Sequence, residues 1–360
     1  MKIRLLSLFI LAQFSFLLPC YVNEYFSKNP HVIKEEIISP QLDTYDCHSS
    51  CIIEAAPGIL CAVWKAGIGS GFSNIDMQNH VGIWMSRCIQ GEWSSPQQIV
   101  DSPDSVCWSP VLTQFPSGEV GLFYRIGKDP RHTLSLLKRS ADGGVTWSEA
   151  EILPAGIVGP TKAKPVYDKA GNMICGSSVE AGSPESSLKA TACWIEIFSQ
   201  DTSQWTKYGP LEIPGKRFGC IEPALFWTQN GTLKLVCRDR SFKTGSEGWI
   251  WTAESMDGGK TWNPLEKTTL PNPDSGIAVA PLDPNTILLF YNHSHTTRYP
   301  LSCAETQDGG NTWTPLFDIE TESGEFPSAL VDSEGTIHVT YAWQPPGKVQ
   351  RTVKHIIIKK

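Results

Sequence analysis

The chain reads as an all-β protein, a six-bladed β-propeller closed by an N-terminal strand in the last blade. Two observations predict this: a turn motif recurs in near-identical copies, and alternating strand-like runs precede each copy. Composition agrees, with 30 glycines, 26 prolines and 13 tryptophans in 360 residues and little helical periodicity.

The motif is Ser/Thr-x-Asp-Gly-Gly-x-Thr-Trp, found at residues 140–147, 255–262 and 306–313. Asp-Gly suits a tight turn, because Gly accepts positive φ and the Asp carboxylate bonds nearby backbone N–H groups. The Thr and Trp that follow suit a strand, and the Trp is placed to pack on a neighbouring unit. Two eroded copies, residues 86–93 and 199–205, keep the Ser and the Trp. The tryptophans 93, 147, 205, 262 and 313 then recur every 51 to 58 residues. That period is long for a propeller repeat of ~40–50 residues but fits a four-stranded blade with generous loops. Runs such as Gly121-Leu-Phe-Tyr-Arg-Ile126 and Ile287-Leu-Leu-Phe-Tyr291 supply the strands.

After the fifth turn only residues 325–360 remain. They offer three strands, at 328–332, 336–343 and 353–359, and the run 32–39 offers a fourth. Pairing the first segment with the last closes the ring and removes sheet edges. Residues 31–360 therefore form a single domain. No Pro/Ser-rich linker or charge run divides it.

The net charge of −7 argues against nucleic acid as the main partner. A basic start, Met1-Lys-Ile-Arg4, precedes an apolar run at 5–18. Residues 1–20 read as a secretion signal or an N-terminal anchor, shorter than the ~20 apolar residues of a spanning helix. Export to the periplasm, the cell surface or the medium is expected, with the membrane touched only through that anchor, and a monomer is expected. The eleven cysteines show no CxxC or His–Cys metal spacing. Most read as small buried hydrophobes, and no metal or cofactor is expected.

The octads resemble the Asp-box (BNR) repeats of sialidases and related six-bladed propellers. Ordered segments over almost the whole mature chain are similar to a sialidase-like BNR family. Among them are Cys47-His-Ser-Ser-Cys51, Cys107-Trp-Ser-Pro110, Gly159-Pro-Thr-Lys-Ala-Lys164, Ile221-Glu-Pro223, Asn272-Pro-Asp274, Arg298-Tyr-Pro300 and Thr340-Tyr-Ala-Trp343. The resemblance places the box aspartates on the blade periphery, in structural roles. The chain also departs from these patterns. The Phe/Tyr-Arg-Ile-Pro motif that begins a sialidase arginine clamp has only a near-match, Tyr124-Arg-Ile-Gly127, in the second blade, and it reads as a different element. In the 64–81 stretch the family's Glu is missing, and its Asp is displaced to Asp76 or replaced by His80.

Propeller sites lie at one mouth of the central channel, on the loops and innermost strands. By that rule the catalytic candidates are His48, Glu222, Tyr341 and Glu325. The substrate-binding candidates are Trp108, Lys162, Lys164, Glu180, Arg238, Asn272, Asn292 and Arg298; Arg217 is a further polar group of blade four. Lysines and arginines suit a carboxylated sugar, Arg because it clamps a carboxylate bidentately. Glycoside hydrolysis needs an acid for the leaving oxygen and a nucleophile or base. Sialidases use a Tyr with a Glu, which Tyr341 with Glu222 or Glu325 would supply. His48 is the alternative acid/base group. Each has a structural reading too: His48 and His355 as hydrogen-bonded core histidines, Glu222 as a loop tie, Tyr341 as core.

The expected function is an exported, sialidase-like glycoside hydrolase acting on a sialylated or uronate-containing oligosaccharide or glycoconjugate. Two alternatives stand beside it. One is a lyase or hydrolase on uronate- or rhamnose-containing polysaccharide centred on His48. The other is a non-catalytic propeller that binds glycan or protein.

Overall fold

The computed structural model describes residues 29–39, 45–68, 81–180, 191–213, 219–240 and 247–360. All the elements among them are strands, arranged in six antiparallel sheets. Five sheets follow one another along the chain, and their innermost strands line a central channel. Those strands are Tyr45–Ala56, Val106–Gln114, Val166–Tyr167, Cys220–Trp227 and Ala278–Pro281. The sixth sheet begins with Glu325–Val331 and continues outward through Ile337–Trp343 and Thr352–Ile358. Its outermost strand is Val32–Ile37, from the start of the chain, as the sequence pattern predicts. The signal-or-anchor segment 1–20, Asp76, His80 and Arg217 lie outside the described residues.

The Asp-boxes join the third and fourth strands of their blades, away from the channel. In the second box Asp257 accepts from Lys260 N, Thr261 N and Thr261 Oγ1, and Ser255 Oγ accepts from Gly259 N at 2.8 Å. The same bonds recur around Asp142 and Asp308. The second glycine of each box has a reason beyond its positive φ. A Cβ on Gly259 would sit 3.3 Å from Ile195 in the preceding blade, and one on Gly310 would lie 2.8 Å from Phe226. The bare backbone thus docks on the previous blade, and Trp313 meets Phe226 edge-on at 6.3 Å. Core clusters fill the spaces between adjacent blades, so each turn welds its sheet to the one before.

The ten described cysteines are all buried free thiols. Burial pushes Cys107 and Cys303 up to about 12, which keeps them protonated hydrophobes.

Candidate functional site at the channel mouth

One backbone device recurs around the ring. Eight non-glycine residues among those described have positive φ, and six of them are Ser49, Ser109, Lys162, Glu222, Asp274 and Phe326. Each belongs to the innermost segment of a different blade. In blades one, two, four and six the residue sits in a break of the strand register. Such a bulge bends the strand and re-aims its side chains. A left-handed conformation without glycine costs about 1–3 kcal/mol and persists where the surroundings over-determine it, most often at functional sites. Six copies, one per blade, single out this end of the innermost segments as the candidate site.

The side chains gathered around them are mostly charged, and several are buried. Arg238, 4% exposed, lies with its Nε 3.2 Å from Glu222 Oε2 and 3.5 Å from Asp274 Oδ1. Arg240 pairs with Glu180 at 2.9 Å. Arg298 donates to Glu325 Oε2 and to the Asp274 carbonyl, both at 2.8 Å. Arg351 grips Asp46 bidentately at 2.9 and 2.6 Å and also bonds Glu325. His48 Nε2 lies 3.5 Å from Glu325 Oε1, while its Nδ1 meets Ser49 Oγ at 2.7 Å. Phe326 is flanked by the Arg238 and Arg298 guanidiniums, 5.1 and 5.0 Å from its ring centre.

These surroundings move protonation in opposite directions. Burial raises the Glu222 carboxyl above its ordinary value, against the pull of Arg238 and Lys162. Burial pushes Glu325 up as well, but the hydrogen bond from His48 and the charges of Arg351 and Arg298 outweigh it and hold Glu325 well below the usual range. Burial drives His48 well below its ordinary value in spite of Glu325, which favours the neutral ring. Burial lowers Lys65 to about 7 and Lys162 to about 8. The mouth therefore holds a carboxyl biased toward its acid form and an imidazole biased toward its base form. Opposed biases of this kind are what acid/base chemistry requires. Among the described residues no cluster of His, Cys, Asp and Glu would hold a metal ion.

Residues 58–339 match the family model of the BNR repeat-like domain. The chain belongs to the BNR repeat-like family. Among curated proteins none matches it by sequence. A protein of unknown function from Dyadobacter fermentans superimposes with a TM-score of 0.73, at 17% identity over 91% of this chain and 99% of its own. The intramolecular trans-sialidase of Ruminococcus gnavus gives 0.70 at 13% identity, covering 92% and 98%. Trypanosoma rangeli sialidase gives 0.64 at 15% identity over 87% of this chain, which spans only 55% of that protein. The chain spans 66% of the Hadza microbial sialidase Hz136. These likenesses establish a sialidase-like six-bladed propeller.

Within this BNR repeat-like propeller the sequence-predicted residues divide. His48, Glu222, Glu325, Glu180, Arg238 and Arg298 converge on the mouth. Trp108 flanks it, with its ring face 4.3 Å from the Lys65 ammonium. Lys162 reaches across the channel and donates to the Pro327 carbonyl at 2.5 Å. Three predicted binding residues are structural instead. Lys164 donates to Ile52 and Ala329 carbonyls and props the channel deeper down. Asn272 closes a turn on Ser275 that carries Asp274. Asn292, wholly buried, donates to the carbonyls of Arg298, Pro300 and Gly324.

Tyr341 is the main correction. Its hydroxyl donates to Glu320 at 2.7 Å in the core between blades five and six, because the strand turns that face toward the neighbouring sheet. His355, bonded to His338 at 3.0 Å on the periphery, is structural as its strand position suggests. Sequence reasoning missed Asp46, Lys65, Arg125, Phe326 and Arg351. One usable signal existed: Ser109, Glu222 and Phe326 each precede a proline at the same point of their blades.

Proposed function

We propose that this protein is a glycoside hydrolase of sialidase-like type acting on an anionic glycan. The observation that carries the reading is Glu222. It is a buried carboxyl in a strained bulge, its proton affinity is raised, and it stands opposite a neutral His48 held by Glu325. Glu222 donates its proton to the leaving glycosidic oxygen as the bond to the anomeric carbon breaks. His48 accepts a proton from the attacking water, and Glu325 stabilises the imidazolium that results. Arg298, the most exposed of the mouth arginines at 40%, and the Arg238 neighbourhood favour a carboxylate-bearing sugar. The trans-sialidase and sialidase neighbours share the fold, which agrees with saccharide chemistry at this mouth. The apolar leader supports export.

A second reading has its own support. With the Tyr341 hydroxyl committed to Glu320, the neutral His48 suits proton abstraction beside a uronate carboxylate. Glu222 would again protonate the leaving oxygen, which makes the protein a lyase. The test is turnover of a fluorogenic sialoside and of uronate oligosaccharides in ¹⁸O-water. Hydrolysis places one labelled oxygen in the product. A lyase leaves an unlabelled, ultraviolet-absorbing unsaturated uronate. Tight binding without turnover of any acidic saccharide would reduce the molecule to a binding propeller.

A further inference from the structure

A cavity of about 310 Å³ opens between blades two and three beside the mouth. That is the lower end of the ~300–1,000 Å³ range of ligand pockets. Pro154, Ile157 and Val158 form one wall, Glu180 joins it to the mouth, and Arg125 lies at its inner end.

Arg125 is anomalous. It is 5% exposed, yet no carboxylate stands within ion-pair distance of it among the described residues. Among the described residues its guanidinium donates only to Ser109 Oγ at 3.2 Å and to the Pro130 carbonyl at 3.4 Å, and its Nε has no acceptor. The other mouth arginines, 238, 240, 298 and 351, all have carboxylate partners. Burying a guanidinium without a directly bonded counter-ion costs several kcal/mol of desolvation, which the more distant charges of Glu180 and Glu222 offset only in part. Two further cations, Arg131 and Lys207, line the same cavity, each held by its own acid, Asp129 and Glu196. Ser109, which orients Arg125, is the left-handed residue of blade two, so this guanidinium is tied to the same ring that shapes the mouth.

We propose that Arg125 forms an oxyanion subsite in this inter-blade cavity, taking the carboxylate or sulfate of the saccharide unit next to the one that reacts. The proposal rests on the reading of the mouth as a glycan site and adds to it a second charged unit. The planar fork of Arg125 binds the oxyanion, and the apolar wall takes one face of the sugar ring. A substrate with acidic groups on adjacent units is then preferred over one with a single acidic end.

The test compares wild type with Arg125→Met and Arg125→Lys by calorimetry and thermal melting. The probes are a uronate trisaccharide, a sulfated trisaccharide, a uronate monosaccharide and inorganic sulfate, with chloride at matched ionic strength. The expected loss for Arg125→Met is roughly 10–100-fold in trisaccharide affinity, the size of a hydrogen bond to a charged group. Monosaccharide affinity stays unchanged. The uronate and sulfated arms show which oxyanion is preferred. Millimolar sulfate should raise the melting temperature of wild type but not of Arg125→Met, and without anion the variant should melt no lower than wild type. Arg125→Lys, which keeps the charge but loses the fork, should fall between them.

Equal stabilisation of wild type and Arg125→Met by sulfate overturns the subsite. So does an equal loss of mono- and trisaccharide binding. If Arg125→Met does not fold, an Arg125→Lys protein with wild-type affinities for all four probes overturns it as well. A sulfate effect that depends on Arg125, with no saccharide bound anywhere, leaves the anion site standing and overturns the glycan reading of the mouth.

Discussion

Replacing Glu222 by glutamine separates chemistry from architecture. The substitution removes the proton and keeps the shape. The backbone N–H of residue 222 still donates to Ser178 Oγ, 2.6 Å away, which secures the bulge. Arg238 keeps its second acid, since Asp274 Oδ1 lies 3.5 Å from its Nε and is itself buried. Folding therefore loses little, about 1 kcal/mol or less, and not the ~3–5 kcal/mol of a buried cation stripped of its partner. The sign of the pH effect follows from the raised affinity of Glu222 for its proton. A carboxyl whose folded pKa lies above its unfolded value contributes stability that is complete below the unfolded pKa and lost as pH rises through the folded one. Wild type should thus gain on Glu222→Gln as the pH falls toward the ordinary carboxylate range, and the two should lie close together at pH 7. Turnover behaves differently. Loss of a positioned general acid lowers kcat by roughly 10²–10⁴-fold, or about 3–5 kcal/mol of barrier. The assays are urea denaturation at several pH values and steady-state kinetics on the best acidic saccharide. A glutamine variant several kcal/mol less stable at pH 7 with undiminished kcat would show Glu222 to be a structural counter-ion and refute the reasoning.

Three further outcomes follow from the same geometry. Tyr341→Phe deletes a hydrogen bond to a carboxylate and should cost about 1.5–3 kcal/mol in chemical denaturation with kcat unchanged; a hundredfold fall in kcat would restore Tyr341 as nucleophile. Asp308→Ala removes the acceptor of an Asp-box and should lower the melting temperature without touching kcat/KM. Hydrogen bonds from Thr312 and its neighbours outweigh burial and lower that carboxyl to about 2, so the box's contribution is present above the ordinary carboxylate range and fades as pH falls toward about 2. His48 binds its proton more weakly folded than unfolded, so wild type should lose stability as pH falls from 6.5 toward its folded pKa, whereas His48→Gln should show a flatter profile over that window.

Much of the ring is legible in the chain because its turns are local chemistry. Asp257 and Gly259 act within a few residues of each other, so their spacing survives in the sequence. Closure was legible too, since the 32–39 run had no other sheet to join. The mouth was only half legible, for a physical reason. Strand alternation says that Tyr341 and Asn292 share a face type with buried residues, but not whether that face meets the channel or the neighbouring blade. The positive-φ residues are Ser, Lys, Glu, Asp and Phe, so no glycine marks them. Arg351 and Asp46 are 305 positions apart and meet only because the ring closes. Arg125 lies in a near-match to a known motif that reads from sequence as a different element. Its burial without a directly bonded carboxylate becomes visible only in the folded ring.

The most direct measurement is a crystal structure of the Glu222→Gln protein soaked with an acidic oligosaccharide that wild type turns over. The saccharide should lie in the channel mouth, with its glycosidic oxygen within hydrogen-bond reach of residue 222 and an anionic group against Arg298. A saccharide bound only along the outer Asp-box edge, with the mouth unchanged, would contradict the account.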